Sequence, residues 1–287
     1  SMSASRMDKY KSCHFSYFMR YGLQAEPRKP AGFTAPEYGT FVHYVLEHVL
    51  RDEMFRQTVL PGFSDPVAGA EGRRRLRELT RAAVDRYVEE ELGGLEHQTE
   101  RFRYLFRRLL RSVQAVVDNV AEELAASQFR PISFELGFGS GQDLPPVELT
   151  VDGVTVSISG FVDRVDGWEH DGKLCLRVVD YKTGRKSFDL TDIWNGMGLQ
   201  MLLYLFTLAD EGEALYGKQI EPAGVLYLPA REAVVAGSRA MTEAERRRKV
   251  DAELRRKGIV LDDPEVLSAM EELGEGGPRF LPVRVNR

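Results

Sequence analysis

Hydrophobic and polar residues alternate in the middle of the chain, a pattern typical of strands whose successive side chains point to opposite faces. The alternation predicts two paired strands over 147–165 and 173–182, joined by a turn over 166–172 that contains hairpin-type glycines and aspartates. The segment 131–139 shows a similar pattern, and a continuous apolar run over 224–228 predicts an interior strand. These segments together predict a β-sheet.

Elsewhere the apolar residues recur every three to four positions, as in amphipathic helices. Ser5 with Asp8 makes a capping-box pattern that predicts a first short helix ending at Gly22, and Asp263 precedes a last short helix ending at Gly274. The segment 61–70 is predicted to be a loop. The longer predicted helices are 36–57, 71–92, 100–127, 190–210 and a highly charged, capped one over 242–257.

These helices and strands together predict an α/β fold, and a resemblance described below implies a central mixed sheet, flanking helices and an added helical region. A chain of 287 residues, 43% of them hydrophobic, is long enough to bury a sizeable core. We expect one domain over 1–287, with a mainly helical part (1–130), an αβ core (131–230) and a charged helical extension (231–287).

The candidate chemistry lies in the predicted hairpin. Asp180 and Lys182 point the same way on their strand and Tyr181 points away, while hairpin pairing brings Asp163 close to Asp180. Two carboxylates and a lysine suit a hard divalent cation and a water nucleophile. An Asp-x-Lys pattern on an exposed strand is usually a solvated face. Here the preceding residues are apolar, which indicates burial, and buried charges need partners.

Further motifs extend this pattern along the chain. Gln200 and Tyr204 lie one turn apart on a predicted helix, and His43 lies on the helix predicted over 36–57. Asp163-Arg164, Asp180-Tyr181-Lys182 and Gln200-x-x-x-Tyr204 together resemble the RecB-like branch of the PD-(D/E)XK nuclease superfamily. The opening residues 3–23 look like the start of the nuclease domain in the AddB family. The resemblance covers most of the chain and implies a restriction-endonuclease-like core.

The resemblance also implies roles for these residues. Mg²⁺ or Mn²⁺ would be held by His43, Asp163, Asp180 and the backbone carbonyl of Tyr181. Lys182 would orient or help to deprotonate the attacking water. Gln200 and Tyr204 would position Lys182 or the DNA strand without binding the metal. Glu135, on the first predicted strand, is open to two interpretations, a carboxylate near the cluster or an ordinary strand residue, and is not counted among the ligands.

The function implied is that of a divalent-metal-dependent DNA exonuclease domain in an AddAB/RecBCD-type helicase–nuclease, acting in double-strand break repair and recombination. The expected partners are DNA, as single strands or duplex ends, and an AddA-like helicase–nuclease subunit. The chain would be a fragment of the larger protein. Two alternatives stay open, a catalytically inactive DNA-binding or scaffold module and a Cas4-like exonuclease. An inactive site would lack at least one of His43, Asp163, Asp180 and Lys182, and all four are present. A Zn²⁺ hydrolase is disfavoured because Zn²⁺ sites usually use more His or Cys.

The cysteine content bears on a second cofactor. In the AddB family a cysteine matching Cys13 helps to hold an iron–sulfur cluster, together with three cysteines from the far carboxyl end. This sequence has two cysteines, Cys13 and Cys175, whereas such clusters usually need four thiolates. We therefore predict no cluster in this chain and allow one in the full-length parent. So few cysteines also disfavour a disulfide framework and favour a reducing cytoplasm.

Charge and hydropathy limit which surfaces could bind nucleic acid and whether a segment could span a membrane. A net charge of −5 argues against a generally basic surface that binds nucleic acid, but not against a local basic groove. Arg103, Arg107 and Arg111 recur on one helix face and are candidates for contacts with DNA phosphates, with an ordinary solvated face as the alternative. No apolar run approaches about 18 residues, so no membrane span is expected.

Overall fold

Strands that pair around a long central hairpin organise the computed structural model, which describes residues 2–25, 35–65, 68–96, 99–184, 188–237, 240–272 and 277–283. Strand β4 pairs with β5 in antiparallel register, β5 with β6 in parallel, and β6 with β7 in antiparallel. Both β2 and β3 pair with β4 in antiparallel register, and β1 pairs with it in parallel. The strands are β1 (Met2–Ser3), β2 (Arg130–Phe138), β3 (Val147–Val151), β4 (Val154–His170), β5 (Lys173–Lys182), β6 (Ile220–Pro229) and β7 (Lys257–Val260).

Helices cover both faces of this mixed sheet, which confirms the predicted α/β class. Two short π-helical segments, Phe18–Gly22 and Phe55–Val59, extend the helical part. In the described part of the chain, no helix is long and apolar enough to cross a membrane. The α-helices are α1 (Ala4–Ser12), α2 (His14–Tyr17), α3 (Ala35–Arg51), α4 (Leu60–Ser64), α5 (Gly69–Glu90), α6 (Glu100–Ala125), α7 (Leu190–Trp194), α8 (Gln200–Tyr216), α9 (Glu243–Leu254) and α10 (Pro264–Met270).

The turns of the sheet are tighter than predicted. The segment 166–172 is mostly strand, and only Asp171 and Gly172, with φ of 49° and 76°, make the turn. The cause is Asp166, which is fully buried and paired with buried arginines, so that it belongs inside the sheet. The predicted strand over 147–165 is likewise divided into β3 and β4 by Asp152 and Gly153, with φ of 50° and 76°.

Several helix boundaries also differ from the prediction. The first helix is capped by Ser3, whose side chain accepts from the Arg6 N–H, rather than by Ser5. The predicted loop over 61–70 is helical at both ends, in α4 and α5. The predicted helix over 190–210 is interrupted between α7 and α8, where Gly196 and Gly198 have positive φ values of 77° and 69°. Gly274, the predicted end of the last helix, lies outside the described residues.

The sheet separates two hydrophobic cores. On one face α3, α5 and α6 pack against β5 and β6 through residues such as Val179 and Leu226. On the other face α8 packs against Val162, Val178 and Val225. Burial of these apolar surfaces is the main stabilising contribution to the fold, and it fixes the positions of α3 and α8 relative to the strand ends.

A group of buried charges lies beneath the sheet on the α3 side. The Arg164 Nε and Arg177 Nε atoms lie 2.7 and 2.9 Å from the carboxylate oxygens of Asp166. Glu123 of α6 accepts hydrogen bonds from Arg256 at 2.7 and 3.1 Å and lies 3.3 Å from Arg177 Nη2. All five side chains are almost completely buried. Because buried ions are stable only when paired, this network fixes β4, β5 and α6 in one arrangement.

Candidate metal centre

The site begins where β4 and β5 separate. Regular pairing between them ends at Arg164 and Val179, and the next residues on the two strands are Asp163 and Asp180. The Tyr181 N–H, which no longer pairs with β4, donates a hydrogen bond of 2.5 Å to Asp163 Oδ2. The hairpin therefore brings the two predicted carboxylates to one fork, and the backbone of Tyr181 lies between them.

Strands β2 and β4 both depart from regular alternation at this level. Val162 and Val165 lie in the same core although three positions separate them, so the alternation of β4 is interrupted around Asp163. Glu135 lies on β2 between the residues that pair with Val162 and Arg164, and its φ is +48°. A left-handed conformation is unusual for a residue other than glycine, and such conformations are concentrated at functional sites.

The irregularity brings Glu135 close to His43 and Asp163. His43, Glu135 and Asp163 each offer one ligand atom, and these atoms lie within 4.8 Å of one another. This position agrees with one of the two interpretations left open for Glu135, a carboxylate near the cluster, and a role as a metal ligand stays a prediction. The residue is a carboxylate between apolar neighbours, Phe134 and Leu136, and that pattern was the one available sign of a special role.

Helix α3 contributes His43 from the opposite side of the fork. Phe41, Val42, Val45 and Leu46 bury the apolar stripe of the helix, and this packing directs His43 towards the sheet. Its Nδ1 atom lies 3.5 Å from Asp163 Oδ1, and its ring meets the Tyr181 ring edge to face at 5.3 Å. The imidazole thus faces the carboxylates and not the apolar core.

Asp180 and Lys182 lie on β5 next to Asp163, and Asp180 does not belong to the group of three possible ligands found among the described residues. Strand alternation puts them on the same side of β5, and the Lys182 Nζ atom forms an ion pair with Asp180 Oδ2. The Asp180 side chain is 14% exposed and that of Lys182 is 36% exposed, so the ammonium group is accessible to a substrate. Lys182 is therefore a cation at the edge of the acidic cluster.

Burial and mutual repulsion determine the ionisation of the cluster. Glu135 is an exposed residue, but partial desolvation of its carboxyl group, and then the charge of Asp163, raise its pKa to about 7. Burial, and then the charge of Asp180, also raise the pKa of Asp163. Burial lowers the pKa of His43, with the opposing influence of Glu135 and Asp180, which favours the neutral imidazole. Clustered carboxylates beside a neutral imidazole fit a divalent cation, because a bound cation would relieve their repulsion.

Gln200 and Tyr204 lie together at the start of α8. The Gln200 Nε2 atom donates to the Tyr204 hydroxyl at 3.4 Å. Tyr204 is fully buried, its ring stacks on Phe138 at 4.4 Å, and its hydroxyl lies under Gly160. A Cβ atom at Gly160 would be 2.0 Å from that hydroxyl, which explains the glycine. Tyr204 therefore contacts β4 at Gly160, three residues before Asp163 on the same strand. Any effect of the pair on Asp163 is expected to pass along that strand.

The remaining candidate residues lie in other parts of the structure. Arg107 and Arg111 are exposed on α6, and Arg103 forms an ion pair of 3.2 Å with Glu100, so contact with DNA stays a prediction. Cys13 is exposed at the start of α2, whereas Cys175 is buried in β5. That this chain holds no iron–sulfur cluster also stays a prediction.

Replacing Glu135 with glycine should change stability and metal affinity in different directions. Glycine accepts the left-handed conformation and removes one of the repelling carboxylates, so we expect an unchanged or higher free energy of unfolding, by up to about 1 kcal/mol. The same change removes a ligand, and metal affinity should fall. Urea denaturation and calorimetric titration with Mn²⁺ measure the two effects. Glu135→Gln is the control that keeps the strain, and equal metal affinity in wild type and Glu135→Gly would remove Glu135 from the ligand set.

The geometry agrees with comparisons to known proteins. A family model described as the PD-(D/E)XK nuclease superfamily matches residues 1–272. The chain belongs to the PD-(D/E)XK nuclease superfamily. This membership confirms the resemblance carried by the motifs that contain Asp163, Asp180, Lys182, Gln200 and Tyr204. The roles of these residues stay predictions.

Individual relatives of this nuclease chain are much longer. It is 33% identical over 287 residues to an ATP-dependent helicase/deoxyribonuclease subunit of Clostridium novyi, covering 100% of the chain and 25% of that protein. The protein of the same name from Acetivibrio thermocellus is 32% identical over 286 residues, covering 99% of the chain and 24% of the relative. The chain thus spans about a quarter of the length of the curated relatives that it matches.

Proposed function

We propose that this chain is a deoxyribonuclease that hydrolyses DNA phosphodiester bonds with Mg²⁺ or Mn²⁺. The observation that carries the proposal is the cluster of His43, Glu135 and Asp163 beside the Asp180–Lys182 ion pair. Membership of a nuclease superfamily supports it. Carboxylate oxygens with one imidazole suit Mg²⁺ and Mn²⁺, whereas Zn²⁺ usually takes more nitrogen or sulfur ligands.

Each residue has a role that follows from its position. His43, Glu135, Asp163, Asp180 and the Tyr181 carbonyl would hold the cation, which would supply Lewis-acid activation of a water and neutralise phosphate charge. The Tyr181 N–H orients Asp163 through the 2.5 Å hydrogen bond. Lys182 points its ammonium group to the accessible side, where it would orient the attacking water and offset the charge that develops on the phosphoryl oxygens.

The larger assembly is part of the same proposal. The name of the relatives joins a helicase to a deoxyribonuclease, and the chain corresponds to about a quarter of each. We infer that it serves as the exonuclease domain of an AddAB-type enzyme in double-strand break repair and recombination. Its substrate would then be a DNA strand delivered by the motor, and its partner an AddA-like protein.

A cleavage assay tests the proposed function. The purified chain is incubated with linear single-stranded and double-stranded DNA in Mg²⁺, in Mn²⁺ and in EDTA. We expect cleavage in either metal and none in EDTA. Intact DNA under all conditions, with a folded protein that binds the metal, would refute hydrolysis by this chain.

The stabilising effect of the metal should depend on pH. The pKa of Glu135 is raised from 4.5 to about 7, so the metal-free folded state binds more protons than the unfolded state in this window. Its free energy of unfolding should therefore decrease as pH rises through about 7.

A cation displaces these protons, so the increase in Tm caused by Mn²⁺ should be larger at about pH 8 than at about pH 5.5. Scanning calorimetry measures this difference. An equal increase at both pH values would contradict the assignment, and Glu135→Gln should reduce the dependence.

Replacing Gln200 with alanine should lower turnover more than metal affinity. Gln200 supports Tyr204 and carries a neutral amide, a poorer ligand for a hard cation than a carboxylate. Steady-state kinetics and Mn²⁺ titration measure the two quantities on one preparation. Loss of metal binding with the fold intact would contradict this supporting role.

A further inference from the structure

A cleft of about 350 Å³ opens directly beside Lys182. It lies between the carboxyl ends of β5 and β6 on one side and α9 with the start of β7 on the other. Lys182, Arg231 and Lys257 line it with Tyr227 and Glu253. Three cations face two carboxylates, Glu253 within the cleft and Asp180 beside it, so this region keeps an excess of positive charge although the whole chain carries a net charge of −5.

The sheet connects this cleft to the metal centre. Asp180 is the register partner of Tyr227 on β6, and Tyr227 is the partner of Lys257 on β7. Two steps between neighbouring strands place Lys257 about 10 Å from Asp180, measured across the sheet. Lys182 lies between the candidate metal centre and the cleft, since it pairs with Asp180 and also lines the cleft. An extended polyanion could therefore contact the metal centre and the cleft at the same time.

Arg231 is the side chain best prepared for an anion. Its Nη2 atom forms an ion pair of 2.6 Å with Glu253 Oε1, which fixes the guanidinium in place. The side chain is 18% exposed and lines the cleft. A guanidinium offers a fork of donors that matches phosphate oxygens.

We propose that this basic cleft binds a backbone phosphate of the DNA strand, next to the phosphodiester held at the metal centre. The proposal rests on the proposed function and deepens it, because it fixes the side on which the strand continues, across β6 towards β7. It also gives a function to the charged region after residue 230. Helix α9 contributes Glu253, and β7 contributes Lys257, to the walls of the cleft.

Two substitutions with opposite expected effects on the Kd for DNA test whether the cleft binds phosphate. Arg231→Met removes a cation, and we expect the Kd for a labelled single-stranded oligonucleotide in EDTA to rise about tenfold. Its dependence on salt should also weaken, by about 0.7 in the slope of log K against log salt for one lost phosphate contact. Glu253→Gln removes the competing carboxylate, so the Kd should fall. A misfolded variant would not bind more tightly, so the second substitution separates binding from stability.

The Lys173–Glu221 ion pair provides the matched control. It lies at the opposite end of β5 and β6, with an N–O distance of 2.7 Å, and the two side chains are half-exposed. Lys173→Met and Glu221→Gln should leave the Kd and the salt dependence unchanged. Lys257→Met should weaken binding in the same direction as Arg231→Met.

The outcomes separate the two proposals. Unchanged Kd values for Arg231→Met and Lys257→Met, or weaker binding by Glu253→Gln, would overturn the phosphate site, even if the wild type cleaves DNA in Mg²⁺. Conversely, a wild type that binds DNA through these residues but never cleaves it would refute the proposed function and leave the cleft intact.

Discussion

Replacing Asp180 with asparagine, or Lys182 with methionine, is expected to reduce DNA cleavage by about a thousandfold or more while the protein stays folded. Asp180 would help to hold the cation, and such a cation supplies several kcal/mol of transition-state stabilisation, each about 1.4 kcal/mol being a factor of ten. Lys182 is the ammonium group placed beside that centre. Single-turnover cleavage of an end-labelled DNA measures the effect directly.

The two variants should differ in their affinity for Mn²⁺. Asp180→Asn should weaken Mn²⁺ binding, whereas Lys182→Met should leave it near the wild-type value because the lysine is not a ligand. Neither should lower the Tm greatly, since Asp180 contributes to the repulsion that raises the pKa of Asp163. Lys173→Met at the other end of β5 is the control for a lost exposed lysine. Cleavage by either variant at the wild-type rate would contradict the assigned roles.

Replacing Glu123 with alanine is expected to lower the free energy of unfolding by about 3–5 kcal/mol. The substitution leaves Arg177 and Arg256 buried without their shared carboxylate. These arginines also lower the pKa of Glu123 to about 2 despite its burial. The stability that this carboxylate contributes should therefore be present above its unfolded pKa and be lost as pH falls towards about 2.

The neighbouring residue on α6 gives a matched comparison for this loss. Glu122 also pairs with an arginine, Arg279, at 2.6 Å, but its side chain is 33% exposed. Glu122→Ala should cost only about 1 kcal/mol or less, because solvent screens the pair. Urea denaturation of both variants measures the difference. Equal losses for Glu122→Ala and Glu123→Ala would show that the buried network does not stabilise the fold as described.

The sequence predicted those helices and strands that are determined by residues within the element itself. Strand β5 was predicted with the bounds observed, because its apolar run and flanking lysines are explicit. The helix cap at Thr242 was also predicted, and its reciprocal hydrogen bonds with Glu245 are present. Strand β7 was missed because four residues at a sheet edge carry too little pattern, and pairing with β6 defines it.

The residues of the candidate metal centre also differ in whether nearby residues or distant contacts determine their positions. Asp180 and Lys182 were predicted from strand alternation, and Asp163 from hairpin pairing. His43 was assigned only by resemblance, since its approach to Asp163 depends on how α3 packs on the sheet. Glu135 was left open between two interpretations, because its position depends on a left-handed backbone and on an interruption of β4. Neither irregularity has a signature in the residues nearby.

Anomalous diffraction from a crystal soaked in Mn²⁺ would locate the cation without reference to activity, and so tests the proposed metal centre itself. We expect one strong peak in the fork between β4 and β5. That peak should lie roughly 2.0–2.4 Å from a His43 ring nitrogen and from oxygens of Asp163 and Asp180. A peak elsewhere, or a His43 ring turned away from the ion, would contradict the proposed centre.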